Sequence, residues 1–124
     1  MKRVYIAGKL NGMACDYIKN MHVMLQWAEN VKSFGFAVFV PALDFLMGLS
    51  FGNYEYEDYF VNSQAWLEVS DYVFVCPGWH SSKGVNKEII YANSLGIPVF
   101  YDIDKLIQDR DNYKVYNDNG VNNI

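Results

Sequence analysis

The sequence predicts a small α/β domain with a doubly wound parallel sheet of four to five strands and helices on both faces. Four apolar runs show no alternation with polar residues, which is typical of strands that are buried on both faces: residues 4–7, 36–40, 72–75 and 97–101. Segments with helical spacing of apolar residues lie between these runs, and this order favours parallel strands joined by helices. With 124 residues, of which 52% are hydrophobic, the chain is long enough for one such domain.

The first half of the chain contains two of the predicted strands and one long helix. The run at residues 4–7 is rich in β-forming residues and ends at Gly8. Residues 15–33 have apolar side chains at helical spacing, and Gly35 is expected to end this helix. Residues 41–57 show no clean period and carry several aromatic residues. We therefore expect a long loop or lid there, with a short helix inside it.

The second half of the chain repeats the alternation of helix and strand. Helices are predicted on either side of the third strand, and one or two helical turns after the fourth: residues 58–69, 84–95 and 103–108. Gly96 is expected to end the second of these helices. We assign residues 1–110 to the domain and residues 111–124 to a polar tail that contacts a neighbouring subunit.

The predicted order of elements defines where a ligand would bind. Right-handed crossovers place the first and third strands side by side, as in flavodoxin-like and Rossmann-like folds, so that their carboxyl ends open onto one crevice. The loops at this crevice are residues 9–12 and 76–84. Leu10 and Asn11, in the first loop, are therefore candidate substrate-binding residues.

Composition excludes several classes of function. The net charge of -4 and the absence of a basic run argue against binding to a nucleic acid polymer. Cys15 and Cys76 lack the spacing of metal ligands or of a disulfide framework, so both thiols are expected to be reduced. The apolar runs are too short for a signal peptide or a membrane span. We expect a cytoplasmic protein that needs no cofactor or metal.

One glutamate interrupts the apolar face of a predicted helix. Helical spacing places Glu88 in the same stripe as Val85, Ala92 and Leu95, which should face the sheet. A carboxylate at the edge of an apolar crevice is a candidate nucleophile or acid/base group, because burying an unpaired charge is costly. The structural alternative is that Glu88 caps the helix or pairs with Lys83 or Lys87.

The loop before this helix has the composition of an anion site. The amides and hydroxyls of Ser81, Ser82 and Gly84 would suit a phosphate at the helix N-terminus. The residues alone favour the simpler interpretation, in which Ser82 is the N-terminal cap of the helix. Trp79 could stack on a base or close the site, or equally form a subunit contact.

Two stretches carry a family resemblance: "VYIAGKLNG" at the start and "SDYVFVCPGWHSSKGVNKEIIYANSLGIPVF" at residues 70–100. They resemble the nucleoside 2-deoxyribosyltransferase-like family, including its small phage and bacterial branch and the 2'-deoxynucleoside 5'-phosphate N-hydrolases. The resemblance covers the first strand and about residues 58–101. Its most specific part is the pattern G-x-x-x-E at the start of a helix, followed by A-x-x-x-G-x-P-V at its end.

The resemblance implies roles for individual positions. Glu88 matches the glutamate that attacks the anomeric carbon and forms a covalent glycosyl ester. Ser82 matches the serine that binds the 5'-phosphate in the hydrolase branch, where the transferase branch has an aspartate for the free 5'-hydroxyl. Tyr5 and Gly8 match residues that line the sugar and the nucleophile. In the family a neighbouring subunit completes the site, so residues 117–123 are expected to reach a partner's active site.

The sequence departs from the family pattern at the general acid. The family usually has an aspartate eight residues before the position of Asp71, but this chain has Ser63 there, between Asn62 and Gln64. None of these three side chains can act as a general acid at neutral pH. Either Asp58 or another carboxylate reaches the substrate, or catalysis is slow, or the protein binds a nucleotide without cleaving it; Ser63 itself remains a candidate substrate contact.

These observations lead to one expected function and two alternatives. The expected function is that of an N-glycosidase or deoxyribosyltransferase-like protein, a homodimer or larger homo-oligomer, that acts on a (deoxy)nucleoside 5'-monophosphate through a glutamate nucleophile. The first alternative is a non-catalytic nucleotide-binding protein that senses or sequesters its ligand. The second is an assembly protein that uses the aromatic segment 45–59 as an interface.

Overall fold

A four-stranded parallel sheet forms the centre of the computed structural model, which describes the backbone of residues 1–116 and the side chains of residues 1–113. The strands are β1 (Arg3–Ala7), β2 (Ala37–Phe39), β3 (Tyr72–Val75) and β4 (Val99–Phe100), in the spatial order β2-β1-β3-β4. The helices are α1 (Ala14–Ser33), α2 (Asp44–Phe51), α3 (Tyr56–Glu68), α4 (Lys83–Ser94) and α5 (Ile103–Tyr116). The doubly wound α/β fold predicted from the sequence is confirmed.

The central strand pair forms as predicted. β1 and β3 are parallel neighbours in register from Val4 opposite Tyr72 to Ala7 opposite Val75. The amide of Cys76 donates to the carbonyl oxygen of Ala7 over 2.8 Å, so the two strands end at the same level. The loops that follow β1 and β3 therefore leave the sheet side by side.

Side chains of β1 alternate between two hydrophobic layers, because successive residues of a strand point to opposite faces. Val4 and Ile6 pack with buried residues of α1 and α5 on one face. Tyr5 and Ala7 pack with buried residues of α3 and α4 on the other. This alternation directs Tyr5 toward the two helices that carry Ser63 and Glu88.

Most predicted boundaries hold, and both predicted helix stops are found at positive φ: Gly35 (+91°) after α1 and Gly96 (+73°) after α4. The outer strands are shorter than predicted. β2 has 3 residues and β4 has 2.

The segment predicted as a long loop or lid with a short helix inside it does contain a helix and is mostly helical. Residues 41–43 form a 3-10 turn that leads directly into α2, and Gly52 ends this helix at a φ of +77°. The apolar residues of this helix follow no clean period because its buried positions hold Asp44 and Gly48, whereas Leu49 and Phe51 are exposed.

The last helix is longer than the one or two turns predicted. α5 continues to Tyr116 and so crosses the predicted boundary at residue 110. Leu106 is fully buried, and Arg110 donates to the carbonyl oxygen of Phe34 while its guanidinium lies 4.4 Å from the centre of the Phe36 ring.

The tail residues 117–123, expected to reach a partner, lie outside the described residues. None of the helices in the described part of the chain has the length and apolar character needed to cross a membrane.

Candidate functional site

A cavity of about 340 Å³ lies at the carboxyl ends of β1, β2 and β3. This volume is within the range of small-molecule sites. Its wall is largely aromatic, with seven rings that come from β1, α1, α2, α3 and α4: Tyr5, Tyr17, Phe45, Tyr56, Tyr59, Phe60 and Tyr91. The position agrees with the crevice predicted from the strand order.

The Glu88 carboxyl lies in the wall of this cavity, as its place in the apolar stripe of α4 predicts. Val85, Ile89 and Ala92 of the same helix are buried against the sheet. The Oε2 atom of Glu88 is sealed from solvent and has no hydrogen-bond partner among the described residues. Burial raises the pKa of Glu88 to about 7, and side-chain hydrogen bonding with Tyr5 opposes part of this increase.

The structure does not support the alternative in which Glu88 is neutralised by a lysine. No salt bridge within the described residues involves Glu88, and the neighbouring Lys83 and Lys87 are exposed. The carboxyl is therefore held in the cavity wall by packing of α4 against the sheet and by Tyr5.

Tyr5 connects Glu88 to a second polar side chain. The ring of Tyr5 is 1% exposed, and its hydroxyl lies near the side chains of Glu88 and Ser63, whose interactions with it influence its pKa. Burial raises the pKa of Tyr5 well above its usual value, and the nearby negative charge of Glu88 raises it further. The phenol is therefore neutral at physiological pH and retains its proton for hydrogen bonding.

Asp44 is a buried acid behind Ser63 that sequence reasoning missed. It is 5% exposed, and its Oδ2 atom accepts hydrogen bonds from Asn62 Nδ2 at 2.9 Å and from Ser63 Oγ at 3.4 Å. Asp44 is the first residue of α2, where the helix dipole favours a negative charge. The available signal was an acid within the apolar stretch "PALDFLMG".

The loop before α4 forms one end of the cavity. Ser82 is the N-cap of α4, because its Oγ accepts a hydrogen bond from the amide of Val85 at 3.2 Å, as the simpler interpretation predicted. Ser82, Gly84 and Lys87 also line the cavity. The side-chain amide of Asn86 donates through Nδ2 to the carbonyl oxygen of Ser82 at 2.7 Å and so ties this loop to the helix.

The turn after β1 also reaches the cavity, through the predicted residues Gly8, Leu10 and Asn11. Gly8 is held between α1 and β3: a Cβ atom at this position would lie 2.9 Å from Met24 Cε and 3.4 Å from Cys76 Sγ. Burial raises the pKa of the Cys76 thiol to about 12, so it stays protonated.

Three predicted site residues do not line the cavity. Asp58 is exposed and accepts a hydrogen bond from the amide of Glu55 at 2.7 Å, in a capping box that begins α3. Trp79 stacks on His80 and packs against Tyr101, with ring centres 4.0 and 5.2 Å apart. Ser81 is exposed in the 3-10 turn before α4. Asp58, named as one of the carboxylates that could reach the substrate, therefore caps α3 outside the cavity, and the buried acid beside Ser63 is Asp44.

Sequence reasoning also missed most of the aromatic wall. Apart from Tyr5, the rings come from α1, from residues 45–60 and from α4. In the assembly-protein alternative predicted from the sequence, the aromatic segment 45–59 is an interface. In the structure Phe45, Tyr56 and Tyr59 face the cavity.

The arrangement defines a small α/β protein with a small-molecule site at the switch point of its sheet. A buried carboxyl of raised pKa lies beside two hydroxyls in an aromatic cavity, and Lys87 is the cation among the lining residues. Within the described residues no group of three or more His, Cys, Asp and Glu side chains is arranged to hold a metal ion. Such a site suits covalent or acid/base chemistry on an uncharged ring system with an anionic substituent.

The chain belongs to the family described as a domain of unknown function, DUF4406, whose model matches residues 2–101. Its fold is similar to that of a 2-deoxyribosyltransferase from the psychrotolerant bacterium Bacillus psychrosaccharolyticus, with a TM-score of 0.59 and 24% identity. The alignment covers 78% of this chain and 69% of that one. This likeness confirms the fold that the sequence resemblance implies. No match was found among curated proteins.

The burial of Glu88 predicts an unusual dependence of stability on pH. Its pKa is about 7 in the folded chain and near the ordinary value of 4.5 in the unfolded chain. Between these values the folded state holds a proton that the unfolded state has lost, so stability falls as the pH rises from about 5 to 8. At about 1.4 kcal/mol per unit of pKa, the loss is on the order of 3 kcal/mol.

Glu88→Gln should remove this dependence, because the amide does not titrate. We expect the variant to match the wild type at pH 5 and to be more stable at pH 8, in urea unfolding followed by tryptophan fluorescence. Glu29→Gln, an exposed change of the same kind on α1, should retain the wild-type dependence. Parallel pH curves for the wild type and Glu88→Gln would contradict the buried position of this carboxyl.

Proposed function

We propose that the protein is an N-glycosidase or deoxyribosyltransferase that acts on a (deoxy)nucleoside 5'-monophosphate, with Glu88 as the nucleophile. The observation that carries this proposal is the Glu88 side chain, which lines the cavity and whose buried Oε2 atom has no hydrogen-bond partner among the described residues. The fold shared with a 2-deoxyribosyltransferase supports the same class of reaction.

The chemistry requires a carboxylate at the anomeric carbon. Cleavage of an N-glycosidic bond passes through an oxocarbenium-like state, which a nearby carboxylate stabilises and then traps as an ester. The bonding electrons of the C–N bond leave with the base, and a proton must reach the base. Water or a second base then attacks the anomeric carbon and releases Glu88.

The aromatic wall suits the base and the sugar. A planar base can stack on tyrosine or phenylalanine rings, and such contacts provide large buried area with little loss of side-chain entropy. Tyr17 and Phe45 already pack with ring centres 4.4 Å apart, and Tyr56 and Phe60 stack at 6.1 Å. The wall therefore supports an uncharged ring system inside the cavity.

The anionic end of the substrate is assigned to the start of α4. Ser82, Gly84 and Lys87 line this end, and the helix N-terminus favours a negative charge. Position 82 carries a neutral serine, so it does not repel a phosphate. These features support a 5'-monophosphate over a nucleoside with a free 5'-hydroxyl.

A second candidate is a protein that binds the nucleotide without turnover. Ser63, in place of an acid at the cavity wall, favours it. The two candidates share the ligand and differ in whether free base is released.

Release of base from nucleotides tests the proposal. A panel of ribo- and deoxyribonucleoside 5'-monophosphates is incubated with the protein, and free base is measured by chromatography. We expect release from at least one substrate and a loss of at least about 10³-fold in Glu88→Gln, because a nucleophile cannot be replaced by an amide. Glu29→Gln should retain activity. Nucleotide-dependent thermal stabilisation without base release would favour the binding protein. The absence of both stabilisation and base release would refute both candidate functions.

A change of charge at position 82 tests the phosphate assignment. Asp and Asn are both good N-caps, so Ser82→Asp and Ser82→Asn both preserve the start of α4. We expect Ser82→Asp to lower kcat/KM for the 5'-monophosphate about 10- to 100-fold through like-charge repulsion, while Ser82→Asn stays within about threefold of wild type. For the corresponding nucleoside, which has no phosphate, kcat/KM should differ little between the two variants. Equal losses in both variants, or equal losses on nucleoside and nucleotide, would contradict a phosphate beside Ser82.

A further inference from the structure

A glycine inside a short helix lies against a tyrosine ring of the cavity wall. Gly48 is a buried interior residue of α2 and, unlike Gly52 at the end of that helix, does not have a positive φ. Alanine would favour the helix at such a position, because glycine has more backbone freedom to lose. Tyr59 of α3 explains the glycine: a Cβ atom at residue 48 would overlap the Tyr59 hydroxyl and lie 2.7 Å from Cζ and 3.1 Å from Cε1 of its ring.

A second contact holds α2 to α3 one helical turn earlier. Asp44 accepts hydrogen bonds from Asn62 Nδ2 at 2.9 Å and from Ser63 Oγ at 3.4 Å. Asp44 and Gly48 are the buried residues of α2, and their spacing of four positions places them on one face of the helix. If α2 moved away from Tyr59, it would have to break these hydrogen bonds. The start of α2 is therefore fixed relative to the ring.

The Tyr59 ring has a packed neighbour and an open neighbour besides α2. The ring of Tyr54 packs against it, with ring centres 5.1 Å apart, and Tyr59 also lines the cavity. A methyl group at residue 48 would displace the hydroxyl end of the ring. The cavity is the direction in which no packed side chain resists this movement, so the displaced ring would narrow the cavity.

We propose that Gly48 determines which bases the cavity accepts, by keeping the Tyr59 ring out of the space that a two-ring purine base needs. This inference rests on the proposed function and names its substrate class as the purine nucleoside 5'-monophosphates. With the phosphate at the start of α4 and the sugar at Glu88, the base is left with the part of the wall that α1, α2 and α3 form, where Tyr17, Phe45 and Tyr59 lie. Gly48 does not line the cavity, and it is thus a positioning residue that acts through Tyr59.

The size of the base is the property that this contact can control. In an apolar pocket, one additional methylene group typically changes kcat/KM by a factor of about 10 to 200. A single-ring pyrimidine does not need the space that Tyr59 would enter if residue 48 were alanine. A site for pyrimidines would therefore be served by alanine, which also gives the better helix. Glycine at residue 48 is expected where the additional room is used.

The base selectivity of Gly48→Ala tests the proposal. Base release is measured for purine and pyrimidine nucleoside 5'-monophosphates, and the ratio of the two kcat/KM values is compared between variants. We expect the wild type to favour purines, and Gly48→Ala to lower the purine-to-pyrimidine ratio at least about tenfold. Ser50→Ala, which improves helix propensity at an exposed position of the same helix, should keep the wild-type ratio. An unchanged ratio in Gly48→Ala, or a wild type that prefers pyrimidines, would overturn the proposal.

Removal of the Tyr59 ring should abolish this effect. In the Tyr59→Leu background a methyl group at residue 48 has no ring to displace, so Gly48→Ala should change the ratio less than about threefold. Tyr59→Leu alone enlarges the base end of the cavity. It should raise kcat/KM at least about tenfold, relative to the unmodified purine monophosphate, for one that carries a benzyl group on its exocyclic nitrogen. A tenfold loss of the ratio in both backgrounds, or no gain with the benzyl substrate, would contradict the role of Tyr59.

Urea unfolding tests the contact between Gly48 and Tyr59 without any nucleotide. Gly48→Ala improves the helix propensity of α2, but in the wild type it must also displace the ring. We therefore expect Gly48→Ala to raise the unfolding midpoint more in the Tyr59→Leu background than in the wild type. Ser50→Ala should shift the midpoint equally in the two backgrounds. Equal shifts from Gly48→Ala in both backgrounds would refute the contact.

These experiments separate the inference from the function on which it rests. Wild-type protein that neither releases base nor is stabilised by nucleotides would refute the proposed function, and urea unfolding would still decide whether Gly48 and Tyr59 are coupled. Base release with an unchanged ratio in Gly48→Ala would refute the role of Gly48 alone. If nucleotides bind without base release, the ratio is taken from Kd values measured by calorimetry, with the same expected change. Circular dichroism verifies that each variant is folded, and the benzyl substrate with Tyr59→Leu provides the test if Gly48→Ala does not fold.

Discussion

The burial of the Glu88 carboxyl without a charged partner is the constraint on which the rest of the site depends. Packing of α4 against the sheet holds this group in the wall of an aromatic cavity, and one of its oxygens has no hydrogen-bond partner among the described residues. This arrangement is unfavourable for stability but suits a nucleophile, because a poorly solvated carboxylate is reactive toward a developing cation. Tyr5 and the helices that flank it are best understood as the support for this one group.

The parts of the fold that sequence could predict are those set by local pattern. The strand Tyr72–Val75 and the helix that ends at Gly96 follow from an apolar run and from a glycine at positive φ. The full length of α5 could not be predicted in this way. That helix is anchored by Leu106 and by Arg110, which contacts residues 34 and 36 more than seventy positions away. Its own sequence is largely polar and has no clear apolar period.

The same distinction explains which site residues could be found. Glu88, Ser82 and the turn after β1 follow strand ends, so topology alone gathers them. Asp44 joins the site only because α2 packs against α3 and brings its carboxyl to Ser63, 19 positions later in the sequence. Asp58, which is closer to Ser63 in sequence, is used instead in a local helix cap. The acid closest to Ser63 in sequence is therefore not the acid that contacts it in the fold.

Mass spectrometry of the protein during turnover tests the central claim most directly. The protein is mixed with a nucleoside 5'-monophosphate from which it releases base, quenched in acid, digested and analysed for a modified peptide. We expect a mass increase equal to the sugar phosphate without its base, on the peptide that contains Glu88 and at that residue. Steady turnover with no such adduct, or an adduct on another residue, would contradict the account.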